Sequence, residues 1–368
     1  MCTRVLYTTE KNQSYVGRNM DWADNPLPQL WAIPKHVKRK ARAKTKTGEE
    51  FTWTSKYSSI IVANFDCATS DGLNSKGLTT NILWLAPSEY PNPSEKEGYY
   101  PMSMSIWAQY ILDISATVKD AVIAMNNIYI QTANIPGGEK EGVEAKCHLS
   151  VGDKEGNSAI FEYIGGNLHV YTNVDIDTEA YNHYVKKYDK DQMRVMTNDP
   201  QFDTQIESLT YWDELNKKYE KNGNPALLPG SNWSISRFVR ATYFTRQLPD
   251  NDNVGKELAL ALLSTVINNA AQPIIKNENT DTPDLSRTQY TSFADQKSLQ
   301  YFYRSGYGPF LIWVNLKEID FSTLNKKEAF KITLNGKDGV FRKGKDYESG
   351  NATKALEAKK MFEFLKAE

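Results

Sequence analysis

The sequence has few of the residues on which metal sites and disulfide frameworks depend. It contains 3 cysteines and 4 histidines in 368 residues, and no two cysteines stand in a C-x-x-C spacing. This pattern argues against a disulfide scaffold and against a zinc site built from cysteine and histidine. We therefore expect neither a metal ion nor a cofactor.

The sequence also lacks the short motifs of several large enzyme classes. It has no G-x-S-x-G nucleophile elbow, no H-E-x-x-H metal motif, no G-x-x-x-x-G-K-[ST] phosphate loop and no Rossmann glycine run. These absences argue against common serine hydrolases, zinc proteases, nucleotide hydrolases and dinucleotide enzymes. The chemistry, if there is any, must rest on another arrangement of residues.

Excess charge of one sign and long apolar runs are missing as well. The 44 basic and 45 acidic residues give a net charge of −1. The overall charge of the protein therefore does not predict nucleic acid as a partner. The basic segment Lys35–Lys46 has no apolar stripe and is interpreted as the solvated edge of a hairpin. No run of about 18 apolar residues predicts a membrane span. The expected compartment is the periplasm if an export peptide was removed, and otherwise the cytoplasm.

What is present is an alternation of strand-rich and helix-rich regions. Runs of strands separated by runs of helices favour an α+β fold over a βαβ parallel sheet. No low-complexity linker interrupts the chain, so we expect one domain over residues 1–368. The predicted helices are Ser103–Leu112, Thr117–Met125, Gln205–Lys218, Arg237–Gln247, Glu257–Asn268 and a closing helix with apolar Ala358, Met361, Phe362 and Leu365 at helical spacing.

One cysteine lies where a buried structural residue is not expected. Cys67 and Cys147 stand in strand-like or apolar surroundings and are interpreted as small buried residues. Cys2, in contrast, follows Met1 directly, and the first residues of a domain fray unless something holds them. Either Cys2 is incidental, or the start of the chain is the reactive part.

Removal of Met1 would place a thiol and a free α-amine on the same residue, Cys2. An α-amine has a reference pKa of about 7.7–8.0, so near neutral pH it can act as a base. A thiol becomes more acidic beside a guanidinium, and nucleophile and base then come from one residue without a histidine. Arg18 and Asp21 could hold the thiolate and orient the amine if their strand lies beside the first one. The alternative is a surface ion pair.

Five segments, in this order along the chain, give the sequence a family resemblance. They resemble those of the choloylglycine hydrolase family, whose members are bile salt hydrolases and penicillin V acylases of the N-terminal-nucleophile superfamily. The resemblance extends from Cys2 to about Tyr303. The segments are MCTRV (1–5), GRNMDW (17–22), DGLNSKGL (71–78), VMTNDP (195–200) and SRFVRA (236–241).

The resemblance implies a fold and a set of roles. The fold is an αββα sandwich, two antiparallel sheets between layers of helices. Cys2 would be nucleophile and base, Arg18 would stabilise the thiolate and Asp21 would orient the amine. Asn198 would donate to the oxyanion, and Arg237 would be the remaining charged residue of the site.

Trp84 marks a departure from many members of the family. It occupies the position of the second oxyanion residue, where its backbone N–H can serve and its indole narrows the acyl pocket. In this it resembles the Gram-negative branch of the family.

These features predict hydrolysis of a linear amide through a thioester on Cys2. The expected substrate has an aromatic or fatty acyl group, as in penicillin V or acyl-homoserine lactones; the alternative is a conjugated bile salt. A binding or structural protein with an inert Cys2 is the non-enzyme alternative. We also expect a homotetramer, although the sequence does not discriminate it from a dimer.

Overall fold

The protein is described here by a computed structural model. The described residues are 2–9, 13–45, 48–92, 98–136, 142–177, 183–221, 223, 225–251, 253–274, 286–343 and 346–368. Met1 and Lys46, which entered the sequence predictions, lie outside them.

The first large sheet has seven strands and contains the start of the chain. All its neighbouring strands are antiparallel except the last pair, Leu311–Asn315 with Gly350–Asn351, which is parallel. In spatial order the strands are Val195–Met196, Cys2–Thr8, Ser14–Trp22, Arg287–Asp295, Gln300–Ser305, Leu311–Asn315 and Gly350–Asn351.

The second large sheet has ten strands and faces the first. Its only parallel pair in the described part of the chain joins Asn167–Thr172 to Tyr184–Lys187. Both sheets are thus mainly, and not purely, antiparallel. In spatial order the strands are Tyr184–Lys187, Asn167–Thr172, Ser158–Ile164, Cys147–Gly152, Thr79–Trp84, Ala68–Asn74, Ser59–Asn64, Gln29–Ile33, Glu328–Ile332 and Glu357–Lys360.

Four small two-stranded ribbons accompany the large sheets. The basic segment forms one of them: Lys38 and Lys40 are exposed, whereas Arg39 is buried against Asp113 at 3.1 Å. The hairpin is therefore confirmed for the described residues, but the segment is solvated only in part, because Arg39 is buried. The ribbons pair Lys38–Lys40 with Thr52–Thr54, Tyr100–Ser103 with Ile128–Gln131, Asn134–Ile135 with Val143–Glu144, and Arg342–Lys343 with Asp346–Tyr347.

Five α-helices lie in the described part of the chain, and the sequence predicted each of them with shifts of a few residues at the ends. The second helix begins with a capping box, in which Thr117 and Asp120 bond each other's backbone N–H groups. The helices are α1 (Met104–Ile114), α2 (Val118–Ala124), α3 (Phe202–Glu220), α4 (Ser234–Gln247) and α5 (Lys256–Asn269). Short 3₁₀ turns cover Gln192–Arg194, Leu316–Glu318, Phe321–Thr323 and Thr353–Ala355.

Two glycines show why the helices pack on the outer faces of the sheets. A Cβ on Gly17 would lie 2.8 Å from Ile267 of α5, and a Cβ on Gly72 would lie 2.9 Å from Leu112 of α1. Because successive side chains of a strand point to opposite faces, the neighbours of these glycines point into the space between the two sheets. The layers are therefore helix, sheet, sheet and helix.

The predicted closing helix is wrong. Residues 357–360 form a strand on the edge of the ten-stranded sheet, paired with Glu328–Ile332, and residues 361–368 continue without helical structure. The open edge offers unpaired backbone groups, and pairing with it satisfies more of the backbone than an isolated helical turn would.

No helix among the described residues is long and apolar enough to cross a membrane.

The close packing around Gly72 generates a stability prediction. A Cβ there would lie 2.7 Å from both the carbonyl oxygen of Ile60 and Cγ2 of Ile61, distances at which the surrounding backbone must move. We expect Gly72→Ala to lower the free energy of unfolding by about 1–3 kcal/mol, measured by urea denaturation. Gly230→Ala is the control, because nothing lies within 4 Å of a Cβ there. Equal stabilities of the two variants would contradict the packing argument.

Candidate active site

Cys2 lies at the start of a strand that has a neighbour on both sides. The strand pairs with Ser14–Trp22 over its whole length and with Val195–Met196 at Arg4 and Val5. Cys2 is only 2% exposed, and its Sγ lies 3.9 Å from Nη2 of Arg18 and 3.7 Å from the carbonyl oxygen of Asp21. The start of this strand is held inside the protein, so Cys2 does not lie on a fraying end.

Asn198 holds the nitrogen side of Cys2. Its Oδ1 accepts a hydrogen bond from the Cys2 nitrogen and another, at 3.1 Å, from Nη2 of Arg237. Its Nδ2 donates to the carbonyl oxygen of Trp84 at 2.7 Å. Gln205 of α3 donates to the Asn198 carbonyl at 2.6 Å and fixes the loop. The orientation of the Asn198 amide is thus determined on both sides.

Arg237 places a buried positive charge beneath the backbone of Cys2. Its Nη1 donates to the Cys2 carbonyl at 2.6 Å and to Oγ1 of Thr3 at 2.5 Å, and lies 4.0 Å from Oδ2 of Asp21. Asp21 also accepts a hydrogen bond from Thr288 at 2.6 Å. Burial raises the pKa of the Asp21 carboxyl, and the charge of Arg237 opposes that rise. Carboxylate and guanidinium form one charged pair beside the thiol.

Arg18 forms the second charged pair, with Asp71 of the other sheet. Nη1 of Arg18 lies 2.8 Å from Oδ2 of Asp71 and donates to the Tyr290 hydroxyl at 2.6 Å, while Nη2 donates to the Ile82 carbonyl at 2.8 Å. Tyr301 donates a hydrogen bond to the other carboxylate oxygen. Burial raises the pKa of Asp71 to about 6, although Arg18 opposes the shift. The pair joins the two sheets directly behind the thiol.

Trp84 stands where its strand loses one neighbour. Pairing with the strand Ala68–Asn74 stops at Asp71 and Asn81, so the residues after Asn81 have an unpaired edge on that side. Leu85 N–H bonds Lys146 on the opposite edge. The N–H groups of successive residues point to opposite edges of a strand, so the Trp84 N–H points to the unpaired edge. On the same edge the Trp84 carbonyl accepts the hydrogen bond from Asn198. This edge faces the side of the site that Cys2 occupies.

An apolar cavity of about 70 Å³ opens beside Cys2. The rings of Trp22 and Trp84 lie 5.3 Å apart in its wall. An apolar lining with a few polar groups at one end is typical of small-molecule sites. Further lining residues are Met20, Phe65, Ala68, Ile82, Met104 and Ile135.

Neither Cys67 nor the buried His148 lines the cavity beside Cys2, whereas Cys147 does. Cys67 and Cys147 are free and buried, as predicted; burial raises the pKa of Cys67 to about 11 and that of Cys147 further. His148 pairs with Glu162 at 2.9 Å, and Glu162 accepts the Phe202 N–H that begins α3. Within the described ranges, no group of three histidine, cysteine or acidic side chains could hold a metal ion.

The structure brings all the predicted site residues together from distant parts of the chain. Cys2, Arg18 and Asp21 come from two adjacent strands of one sheet, and Trp84 comes from the other. Asn198 lies in a loop, and Arg237 lies in α4; the six residues are Cys2, Arg18, Asp21, Trp84, Asn198 and Arg237.

Asp71, Tyr290 and Thr288 also contact the site residues, although the sequence patterns did not predict them. Asp71 begins the quoted segment DGLNSKGL, and a carboxylate beside a glycine in a buried strand was the available signal. Tyr290 and Thr288 carry no signal in the sequence, because their hydroxyls gain a role only through the pairing of Arg287–Asp295 with Ser14–Trp22.

The sequence of this chain is similar to those of known amide hydrolases. Residues 2–190 and 179–331 match the choloylglycine hydrolase family of linear amide C–N hydrolases. A penicillin V acylase of Pectobacterium atrosepticum is 36% identical over 340 residues, which cover 87% of this chain and 82% of that protein.

Two solved structures show the same fold as this chain. Penicillin V acylase from Agrobacterium tumefaciens has a TM-score of 0.78 and 32% identity over 99% of both chains. A conjugated bile acid hydrolase of Clostridium perfringens, mutant C2A, has a TM-score of 0.69 and 21% identity, and covers 91% of this chain and 98% of that one. The predicted αββα sandwich and the predicted amidase class are confirmed. The chain belongs to the choloylglycine hydrolase family of linear amide C–N hydrolases.

Proposed function

We propose that the protein hydrolyses amides with an aromatic or fatty acyl group, of the penicillin V or acyl-homoserine lactone kind, through a thioester on Cys2. One observation carries this proposal: the two functional atoms of Cys2 have separate surroundings. Its nitrogen bonds Asn198, while its sulfur lies beside Arg18 at the end of an apolar cavity. A nucleophile and a base on one residue need this separation, because each must keep its own partners.

The first step requires that Met1 is absent, so that the Cys2 nitrogen is an amine. The neutral amine takes the thiol proton, and the sulfur attacks the substrate carbonyl carbon. The resulting ammonium gives its proton to the leaving amine as the C–N bond breaks, which leaves a thioester. Water then hydrolyses the thioester with the same amine as base. The positive charge of Arg18 beside Sγ favours the thiolate.

The oxyanion of each tetrahedral intermediate needs donors that are fixed in advance. The second hydrogen of the Asn198 amide and the backbone N–H of Trp84 are the groups we assign to it. The Asn198 amide cannot rotate, because Arg237 and Trp84 hold its two ends. One such donor contributes about 10²–10³ in rate. Asp21 and Arg237 keep the amine side oriented and balance each other's charge.

The small volume of the cavity favours a slender acyl group over a steroid. A cavity of about 150 Å³ is known to hold benzene, and the cavity here is about 70 Å³. Entry of an aryl or alkyl chain therefore needs small side-chain movements, which the flexible Met20 and Met104 can supply. The rigid rings of a bile salt would need larger changes between Trp22 and Trp84. The relatives named penicillin V acylase point to the same choice.

A substrate panel tests the choice of acyl group. It contains penicillin V, acyl-homoserine lactones of several lengths, glycocholate and taurocholate. Preference for the two bile salts would overturn the proposal in favour of the alternative.

The homotetramer stays a prediction, which light scattering of the purified protein can check.

Blocking the Cys2 nitrogen tests the amine base. A variant with one uncleaved residue before Cys2 keeps the thiol, Arg18 and Asn198, but the Cys2 nitrogen is then an amide and no longer a free amine. We expect it to fold and to react with iodoacetamide at Cys2, yet to hydrolyse no member of the panel. Cys67 and Cys147 should stay unlabelled, because burial raises their pKa values. Full activity with an intact mass that includes the extra residue would refute the mechanism.

Replacing Trp84 tests the wall of the acyl pocket. Trp84→Ala keeps the backbone N–H that we assign to the oxyanion and removes only the indole. We expect the ratio of kcat/KM between long and short acyl chains to change by about tenfold or more. Trp313→Ala is the matched control, because Trp313 is also half-buried but lies in the outer part of the seven-stranded sheet. Equal loss for all substrates in proportion to lost stability would show that Trp84 only packs.

The raised pKa of Asp71 predicts how stability depends on pH. Its folded pKa of about 6 lies above the ordinary value of 3.8, so between these values the folded state keeps a proton that the unfolded state has lost. The contribution of Asp71 to stability is complete below about pH 4 and is lost as pH rises through 6, by about 1.4 kcal/mol per pH unit within the window.

Asp71→Asn removes this titration. The difference in unfolding free energy between wild type and variant, measured in urea from pH 4 to pH 7.5, should fall across the window and then level off. Ser292→Ala is the control, because its hydroxyl contacts the same carboxylate at 3.4 Å without titrating. Wild-type and Asn curves that run parallel would contradict the assignment.

A further inference from the structure

The last residues of the chain form an extended segment against the wall of the acyl cavity. We define the C-terminal strap as residues 361–368, which follow the edge strand Glu357–Lys360. The strap lies beyond the part that matches the family, which ends at residue 331. Met361 N–H bonds the Lys327 carbonyl at 3.0 Å. From there the strap crosses three segments that supply the cavity wall.

The first segment is the turn between two strands of the ten-stranded sheet. Leu365 N–H donates to the Cys67 carbonyl at 3.1 Å, and Phe65 and Ala68 on either side of Cys67 line the cavity. Phe65 and Asp66 have φ angles of 53° and 48°. Such left-handed conformations cost energy for residues other than glycine and persist only when the surroundings enforce them. The hydrogen bond from Leu365 is one such restraint.

The second segment is the start of α1. Ser105 Oγ donates to the Leu365 carbonyl at 2.9 Å, so both backbone groups of Leu365 are used on cavity-wall segments. Met104, which precedes Ser105, lines the cavity. A shift of the strap at Leu365 would therefore release the turn and the helix start together.

The third segment leads to Ile135, another residue of the cavity wall. Glu368 N–H donates to the Thr132 carbonyl at 3.3 Å, and the Asn134 side chain donates to Oε1 of Glu368. The strap therefore contacts the chain directly beside three wall positions that are distant in sequence.

Phe364 fixes the strap to the core. It is 5% exposed and belongs to the same apolar cluster as the cavity residues Ile82 and Met104. The Arg39 guanidinium lies over its ring at 5.5 Å, and the Phe362 ring lies 4.8 Å from it. A buried phenyl ring contributes several kcal/mol, about 3–5 when it is truncated to alanine. The strap is thus held by a buried anchor as well as by hydrogen bonds.

From these contacts we propose that the C-terminal strap sets the acyl specificity of the site by positioning the wall segments at Phe65, Met104 and Ile135. The strap residues are positioning residues, since none of them lines the cavity. The part of this inference that concerns specificity rests on the proposed function. The inference that the strap positions the wall segments does not depend on the proposed function.

Leu365→Pro tests the contact with Cys67 separately from the contact with Ser105. It removes the N–H that bonds Cys67 and leaves the Leu365 carbonyl, with which Ser105 bonds, in place. Lys366→Pro is the matched control, because no hydrogen bond from the Lys366 N–H is found within the described ranges. Phe364→Ala forms a second pair with Phe302→Ala, since both rings are 5% exposed and only Phe364 belongs to the strap.

Two measurements are made on all four variants and the wild type. The first is kcat/KM for penicillin V and for acyl-homoserine lactones of increasing length. We expect Leu365→Pro and Phe364→Ala to change the ratio between long and short chains by about tenfold, while both controls keep the wild-type ratio. The second is amide hydrogen exchange, in which residues 64–68, 104–105 and 132–135 should exchange faster in the strap variants alone.

The outcomes separate the two proposals. If the wild type hydrolyses no substrate of the panel, the proposed function fails, and hydrogen exchange still decides whether the strap positions the wall. If the wild type is active but strap and control variants share one selectivity ratio, the strap does not set specificity. If a strap variant fails to fold, the other strap variant with its own control decides. Unchanged exchange at all three wall segments would overturn the inference.

Discussion

The buried ion pair between Arg18 and Asp71 is the interaction around which the site is built. It joins the two sheets at 2.8 Å, with both side chains out of contact with water. A buried pair is stable only if further hydrogen bonds satisfy its remaining polar atoms. Here the hydroxyls of Tyr290 and Tyr301 and the Ile82 carbonyl bond most of these atoms, and among the described residues only Nε of Arg18 in the pair has no partner. The reactive sulfur of Cys2 lies at the end of this network, so its surroundings are fixed by the packing of the two sheets.

Successive side chains of a strand point to opposite faces, so each of the two strands can contact a helix on its outer face and carry one member of the charged pair on its inner face. Gly17 lies under α5, and the next residue, Arg18, points between the sheets; Gly72 lies under α1, and the preceding residue, Asp71, points between the sheets. A larger residue at either glycine would push a helix away from its sheet. The glycine and the charged residue beside it therefore act together: one lets the layers approach, and the other uses the space between them.

The acyl side of the site depends on contacts that lie outside the reactive centre. Cys2, Asn198 and Arg237 are held by hydrogen bonds close to the sulfur. The cavity wall is made of short segments at strand and helix ends, which have few restraints of their own. In this protein the C-terminal strap supplies several of those restraints. The surroundings of Cys2 and the cavity wall are thus supported by different parts of the chain.

The sequence by itself determined the local elements and indicated a set of candidate site residues. The residues near the start of the chain indicated Cys2, Arg18 and Asp21, whereas Trp84, Asn198 and Arg237 were implied by the family resemblance. Apolar periodicity predicted the five helices, because helical periodicity is a local pattern. Only the tertiary structure decided the partner of Arg18, since Asp71 is 53 positions away along the chain and no local pattern marks a contact between sheets. The closing segment shows the same limit. Its apolar residues also fit helical spacing, but an open sheet edge and a buried site for Phe364 made it extended.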